Sequence, residues 1–307
     1  MRHFGLFFTP EHIQHALRDR EEEPLRGAWM LLREREPARG AAAAQWHGLL
    51  YRFEQDAEAA GRAVQAIVEC SECAQLESRG YFDALTKLMT YLHAFEMVRD
   101  YPEFQPDWQQ RWVNFVNEQL AVLETSDQKD TLVETVWFEA LNFVAGIVFE
   151  DSARIERGAA MYRQFITEEV RPQGFLPRAV EGGDGGGFFR QVVSVSALVL
   201  MAEAGQHIGL DLWSFNARGV SVVTGALYPI YYFYTTDKWR WDEDLPVERA
   251  QAQLRKHGGY LEMVYRRTRH RDLKTLLDDL RPVYDPPGGG LTTLTHGVAE
   301  KRRGLFG

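Results

Sequence analysis

The chain has 307 residues, of which 45% are apolar, 26% charged and 12% aromatic, and its formal net charge is −9. That length admits one large domain or two small ones, and the apolar share excludes a wholly disordered chain. The acidic balance excludes a general nucleic-acid binder, which needs a basic surface to displace phosphate counterions, and no run approaches eighteen uninterrupted apolar residues, so neither a membrane-spanning helix nor a membrane partner is expected.

Residues 1–8 carry neither the apolar run nor the small-residue cleavage site of a secretory signal, and as the chain stands a cytoplasmic location is expected. Thr9-Pro10-Glu11 then gives a hydroxyl cap, a proline at the first helical position and an acid in the first turn. A helix over about 10–20 is predicted, and another over 24–36. Pro37 and Gly40 break the chain, and 41–76 reads as one or two helices. Within it, Cys70 and Cys73 form C-x-x-C without a second Cys or His pair at zinc spacing, so two small buried thiols are expected and no metal. Residues 82–99 show a helical apolar face. From 107, Trp108, Trp112, Phe115, Val116, Leu120 and Leu123 make a stripe of period 3.6, and Trp108 and Trp112 are expected in the core. Residues 131–149 are apolar on nearly every side, the mark of a helix buried all round, and 152–169 return to an amphipathic pattern.

Residues 171–188 interrupt this order with two prolines and Glu181-Gly182-Gly183-Asp184-Gly185-Gly186-Gly187. Such a run cannot persist as helix, and without a following Lys-Ser/Thr or a preceding strand it is not a phosphate cradle. Helices are predicted over 188–207, from Asp211 to about 226, from Pro246 to Arg269 and over 271–281, with an aromatic cluster at 228–241 and a short strand at 291–295. Residues 249–307 hold 12 Lys/Arg against 6 Asp/Glu, a net of +6 that leaves −15 on the rest. This basic segment either packs on the acidic body or meets an anionic partner. About twelve helices in sequential pairs suggest a bundle, a solenoid or a closed toroid, in one domain over 1–307 with a frayed tail at 296–307.

Several segments resemble the alginate-lyase-type polysaccharide lyases. They are Leu6-Phe7-Phe8-Thr9-Pro10-Glu11, Trp137-Phe138-Glu139-Ala140, Arg171-Pro172-Gln173-Gly174-Phe175-Leu176-Pro177, Gly209-Leu210-Asp211-Leu212-Trp213, and Arg281-Pro282-Val283-Tyr284-Asp285 with Gly289-Gly290-Leu291-Thr292-Thr293-Leu294. The resemblance implies an all-α, incomplete (α/α) toroid, an acidic poly- or oligosaccharide as partner, no cofactor, and cleavage by β-elimination at a uronic acid. The family carries Asn-Asn-His just before its central Trp; here Leu132-Val133-Glu134 stand there. Its Arg and Tyr before the next helix correspond to Gly183 and Arg190, or to Phe188 or Phe189 if the loop is two residues longer.

β-Elimination needs a cation to neutralise the carboxylate, a base for the C5 proton and an acid for the leaving oxygen. Glu134, an acid on an otherwise largely apolar helix, is the first candidate, with Arg190 and Tyr234 beside it as catalytic residues. Arg178, Trp137, Trp241, Trp46, His47, Arg79 and Tyr81 are the candidates for binding substrate, arginines through their bidentate fork and tryptophans by stacking on sugar. Each has a plainer reading as a core side chain or a structural ion pair. Three functions follow: a lyase with a rewired site, a toroid that holds glycan without cutting it, and a helical scaffold for a protein partner. An acidic body repels a polyanion at long range, so glycan binding must rest on a few local arginines.

Overall fold

A computed structural model describes residues 5–35, 39–73, 75–76, 78–127 and 131–300. Among them are fifteen α-helices and no strand. They are α1 (Pro10–Arg18), α2 (Leu25–Glu34), α3 (Ala41–Glu54), α4 (Ala57–Ser71), α5 (Tyr81–Val98), α6 (Pro106–Glu124), α7 (Leu132–Phe149), α8 (Ser152–Glu168), α9 (Pro177–Val180), α10 (Gly187–His207), α11 (Val222–Leu227), α12 (Val247–His257), α13 (Tyr260–Thr268), α14 (Arg271–Leu280) and α15 (Thr292–His296).

The helices form an (α/α) toroid. An inner ring runs α3–α5–α7–α10–α13 and closes through α15, which packs on α1 and α2. The outer α4, α6 and α8 cover the ring from outside: α4 packs on α3 and α5, α6 on α4 and α7, and α8 on α7. Hydrophobic pattern decides which helix goes where. The inner α7 and α10 are buried along almost their whole length, whereas α6 and α8 bury one stripe. Both α7 and α10 are long and apolar enough to cross a membrane, yet 83% and 89% of their apolar windows lie inside the ring.

The inner helices point the same way. At one mouth Phe82 of α5 meets Trp137 of α7 at 5.6 Å and Phe189 of α10 at 5.9 Å, all near helix N-termini. At the other mouth Arg52 of α3 pairs with Asp100 after α5, and Arg99 donates to the carbonyl of Val148 at the end of α7. Backbone N–H groups therefore face the first mouth and carbonyls the second.

Several expectations need correction. Residues 211–221 are turns, because Asp211 and Asn216 take the N–H groups of Ser214 and Gly219 and only α11 follows. The predicted long helix after Pro246 breaks at Gly258-Gly259. A Cβ on Gly259 would meet the carbonyl of Gly288 at 2.4 Å, and its N–H donates to Asp285, so a loop packs where the helix would continue. The predicted strand at 291–295 is the buried helix α15, held between α13, α1 and α2. Trp108 is exposed rather than core, while the rest of its stripe is buried. Of the expected frayed tail, residues 301–307 lie outside the described residues. His296 is buried and Glu300 donates its N–H to the carbonyl of Glu23. The described part of the basic segment packs into the ring and pairs with acids, as in Arg281–Glu262 and Lys274–Glu300.

Candidate functional site

The N-terminal mouth holds some of the residues singled out in the sequence, and it spends them on structure. Thr131 caps α7. Its hydroxyl accepts the N–H of Glu134, and the Glu134 carboxylate accepts the N–H of Thr131 at 3.0 Å. Glu134 is thus half of a capping box in the first turn, not a buried acid in search of a partner. Leu132 and Val133 beside it are buried and apolar.

Arg190, on the first turn of α10, folds back onto the glycine run. Its guanidinium grips Asp184 with two bonds of 2.8 Å, and its Nε donates to the carbonyl of Ala179 at 2.7 Å. The glycines make room for it: a Cβ on Gly182 would stand 2.4 Å from its Nη2, and one on Gly186 would stand 2.6 Å from its Nη1. The clamp holds the Asp184 carboxyl well below the usual range, through the Arg190 hydrogen bonds first and the Gly186 N–H second. The free N–H groups at the start of α10 are likewise taken. Gly187 and Phe188 donate to Asp242, which also accepts the indole N–H of Trp239.

The remaining candidates are scattered. Trp46 and Trp137 are core residues whose indole N–H groups donate to the carbonyls of Leu32 and Val193, so neither can stack on a sugar. His47 is buried next to Trp46 on α3. Tyr81 is buried and donates to the carbonyl of Leu123. Burial, and then the charge of Glu134, push its hydroxyl above the ordinary phenol range. Arg79 is exposed, and its backbone N–H donates to Asp83. Arg178 pairs with Glu169 at 2.9 Å. Trp241 is half-buried, its ring tilted against Phe175 and under the Arg240 guanidinium, with its N–H on the Tyr228 hydroxyl. Tyr234 is exposed and donates to Asp279. The structure therefore brings Glu134, Tyr81, Trp137 and Arg190 to one mouth, while Arg178 is turned to Glu169, Trp241 to Phe175 and Arg240, and Tyr234 to Asp279.

A cavity lies to one side of that mouth. It measures about 600 Å³ and runs between the N-terminus of α3, the C-terminal half of α4 and the first three turns of α5. Sequence reasoning passed over its polar lining: Arg39, Lys87, Tyr91 and Glu69, with Cys70 and Cys73 on the wall. Arg39 is exposed; Lys87 is half-buried and 3.0 Å from Asp83. Tyr91 is buried and its hydroxyl is pushed above the phenol range, by burial first and then by Cys70. Cys73 is exposed and Cys70 half-buried, so the expectation of two buried thiols fails. At the mouth itself aromatic rings pack on one another. Phe189, on Phe82, also meets His257 at 5.3 Å, and burial lowers that imidazole to about 4.

An all-helical ring of this kind, with a groove at the N-terminal mouth of its inner helices, is the scaffold of a polysaccharide-lyase-like protein. A family profile described as alginate lyase matches residues 38–241, two thirds of the chain, and the chain belongs to that family. Solved structures agree on the fold. Alginate lyase A1-III from Sphingomonas species A1 shares 16% identity with a TM-score of 0.71, over 89% of this chain and 78% of its own. A variant of alginate lyase A1-III complexed with tetrasaccharide gives the same identity and score over 85% and 76%. An alginate lyase from Bacteroides ovatus shares 12% at a TM-score of 0.66, over 83% and 72%. No curated protein matches the sequence.

Proposed function

We propose that the chain holds a uronic-acid-containing oligosaccharide in the groove between α3, α4 and α5 and does not cut it at the family's usual place. One observation carries this reading: the open volume and the polar side chains coincide in that groove, while the mouth's own arginine and helix N-terminus are occupied by Asp184 and Asp242. A groove of this size suits an oligosaccharide segment, since small-ligand sites run to several hundred Å³. Arg39 and Lys87 supply cations for uronate carboxylates, the local charge that an acidic body requires. Glu134 serves as a helix cap and Arg190 as a loop clamp.

A second reading is β-elimination within the same groove, favoured by the meeting of Arg39, Lys87, Tyr91 and Glu69. The cations would neutralise the carboxylate and make the C5 proton acidic. Glu69 would take that proton, and Tyr91, whose environment keeps its hydroxyl protonated, would give one to the leaving oxygen.

Calorimetry with a panel of acidic oligosaccharides, run beside absorbance of the unsaturated uronate, separates the two. The first reading expects binding that weakens with salt, falls at least tenfold in Arg39→Ala/Lys87→Ala, persists in Glu134→Gln, and yields no chromophore. Chromophore growth abolished by Tyr91→Phe establishes the second. If no glycan binds, both fall and the scaffold role is left.

A further inference from the structure

At the opposite mouth three segments far apart in sequence bring imidazoles around one carboxylate. Glu203, near the C-terminus of α10, has its Oε1 3.2 Å from Nε2 of His296 on α15 and 3.2 Å from Nε2 of His207. His12 of α1 lies over this group, its ring 4.8 Å from that of His296 and 5.7 Å from that of His207. One ligand atom from each of His12, Glu203 and His296 falls within 4.8 Å of the others. The cluster opens on a cavity of about 280 Å³, also lined by Glu11, Arg266 and Arg267.

We propose that His12, Glu203 and His296 form a binding site for a divalent transition metal of the zinc class, which ties α1 and α15 to the ring helix α10. Two imidazoles and one carboxylate are the donor set of an open zinc site, with room in the cavity for a water as fourth ligand. Ligand atoms 2.0–2.2 Å from a four-coordinate ion stand roughly 3.3 Å apart, so the Glu203–His296 spacing already fits and His12 must move in by up to about 1.5 Å. His12 is half-buried on the nine-residue α1 and caps that helix through the Thr9 N–H at 3.2 Å, so the shift gives up this bond in exchange for the metal. Nitrogen donors disfavour calcium and magnesium, which take oxygen.

The surroundings orient the ligands as metal sites do. The indole N–H of Trp213 donates to Glu203 Oε2 at 3.1 Å, and Nδ1 of His296 lies 2.7 Å from the Thr295 hydroxyl. His207 donates its Nδ1 proton to the carbonyls of Gly5 and Leu6, which turns Nε2 toward Glu203. The metal-free cluster balances charge with a proton. Burial disfavours charge on His207, but its bond to Glu203 raises it overall; Glu203 is held well below the carboxylate range against burial. Burial and the neighbouring cations push His12 far down, so it is neutral. Nδ1 of His12 accepts the Thr9 N–H at 3.2 Å and lies 3.0 Å from the Thr9 hydroxyl; moving the ring proton to Nδ1, where it donates to that hydroxyl, frees Nε2 for the metal. Arg266 is the adverse neighbour, opposed by Glu203 and by Glu11 at the rim.

The test uses the whole chain, stripped with a chelator and titrated with zinc chloride by calorimetry, with thermal melts alongside and cobalt(II) as a spectroscopic probe. The expected result is one ion per chain, a rise in Tm of roughly 5 °C when free zinc is about a hundred times Kd, and the intense visible bands of tetrahedral cobalt. His12→Ala lowers affinity about 100-fold or more, and His296→Ala does the same. Absence of stoichiometric zinc binding by the unaltered chain overturns the proposal without any variant. So does binding that survives loss of both His12 and His296, as zinc held by Cys70 and Cys73 would.

Discussion

Arg281→Met tests how the ring is sealed where α13, α14 and α15 meet. Glu262 of α13 is completely buried. Its two oxygens accept Nε and Nη2 of Arg281 at 2.8 and 2.9 Å, and Oε1 also accepts the Thr293 hydroxyl of α15 at 2.7 Å. Arg281 is itself nearly buried, with Tyr265 under its guanidinium at 5.5 Å. Methionine fills much of the stem volume but leaves the carboxylate with one hydrogen bond of three. Removing one partner of a buried pair costs about 3–5 kcal/mol, because the orphaned charge keeps its desolvation penalty. Against a total stability of roughly 5–15 kcal/mol, that is about a fifth or more. Urea unfolding followed by tryptophan fluorescence should show a lower midpoint at unchanged slope. Adding Glu262→Leu should recover most of the loss, since the pair and an apolar filling are of similar worth. A loss below about 1 kcal/mol in Arg281→Met alone would refute the reasoning, by showing that water or another cation reaches Glu262.

Two further outcomes follow from buried contacts. Burial raises the Glu96 carboxyl to about 8, with Arg99 pulling the other way, so the folded chain holds a proton there that the unfolded chain releases near 4.5. That stabilisation is complete below the unfolded value and is lost as pH rises through 8; Glu96→Gln should flatten the profile of Tm between pH 5 and 8, and an unchanged slope would exclude it as the source. Gly158 of α8 lies so close to α7 that a Cβ would stand 2.6 Å from Cβ of Phe143, so Gly158→Ala should cost roughly 1–3 kcal/mol by thermal melt despite alanine's better helix propensity; an unchanged or higher Tm would sink the claim.

Helix position was largely legible because period and caps are local signals. The stripe beginning at Trp112, the all-round apolar run of α7 and the Thr9-Pro10-Glu11 start each sit where the pattern put them. The failures came where a distant segment overrode local preference. Residues 258–259 stop a helix because the loop at 285–288 packs there, and 291–295 is helical because three helices surround it. The site was harder to read for the same reason. Glu134 looked like an unpaired acid, but Thr131 three residues earlier was the sequence signal of a capping box. His12, Glu203 and His296 lie far apart along the chain and leave no motif. The one local hint was Glu203 with His207 four residues on, an acid and an imidazole sharing a face of an otherwise apolar helix.

The clamp of Arg190 on Asp184 has a consequence for competition. The two residues are six positions apart, so Asp184 acts on that guanidinium as a tethered ligand. A short tether sets an effective concentration in the millimolar range or above. Any soluble carboxylate must exceed that level, or bind the fork more tightly, before it can displace the chain's own. Asp184 is in this sense a built-in competitor, and the strength of its hold sets the threshold above which the mouth of the ring would begin to recognise an acid from outside.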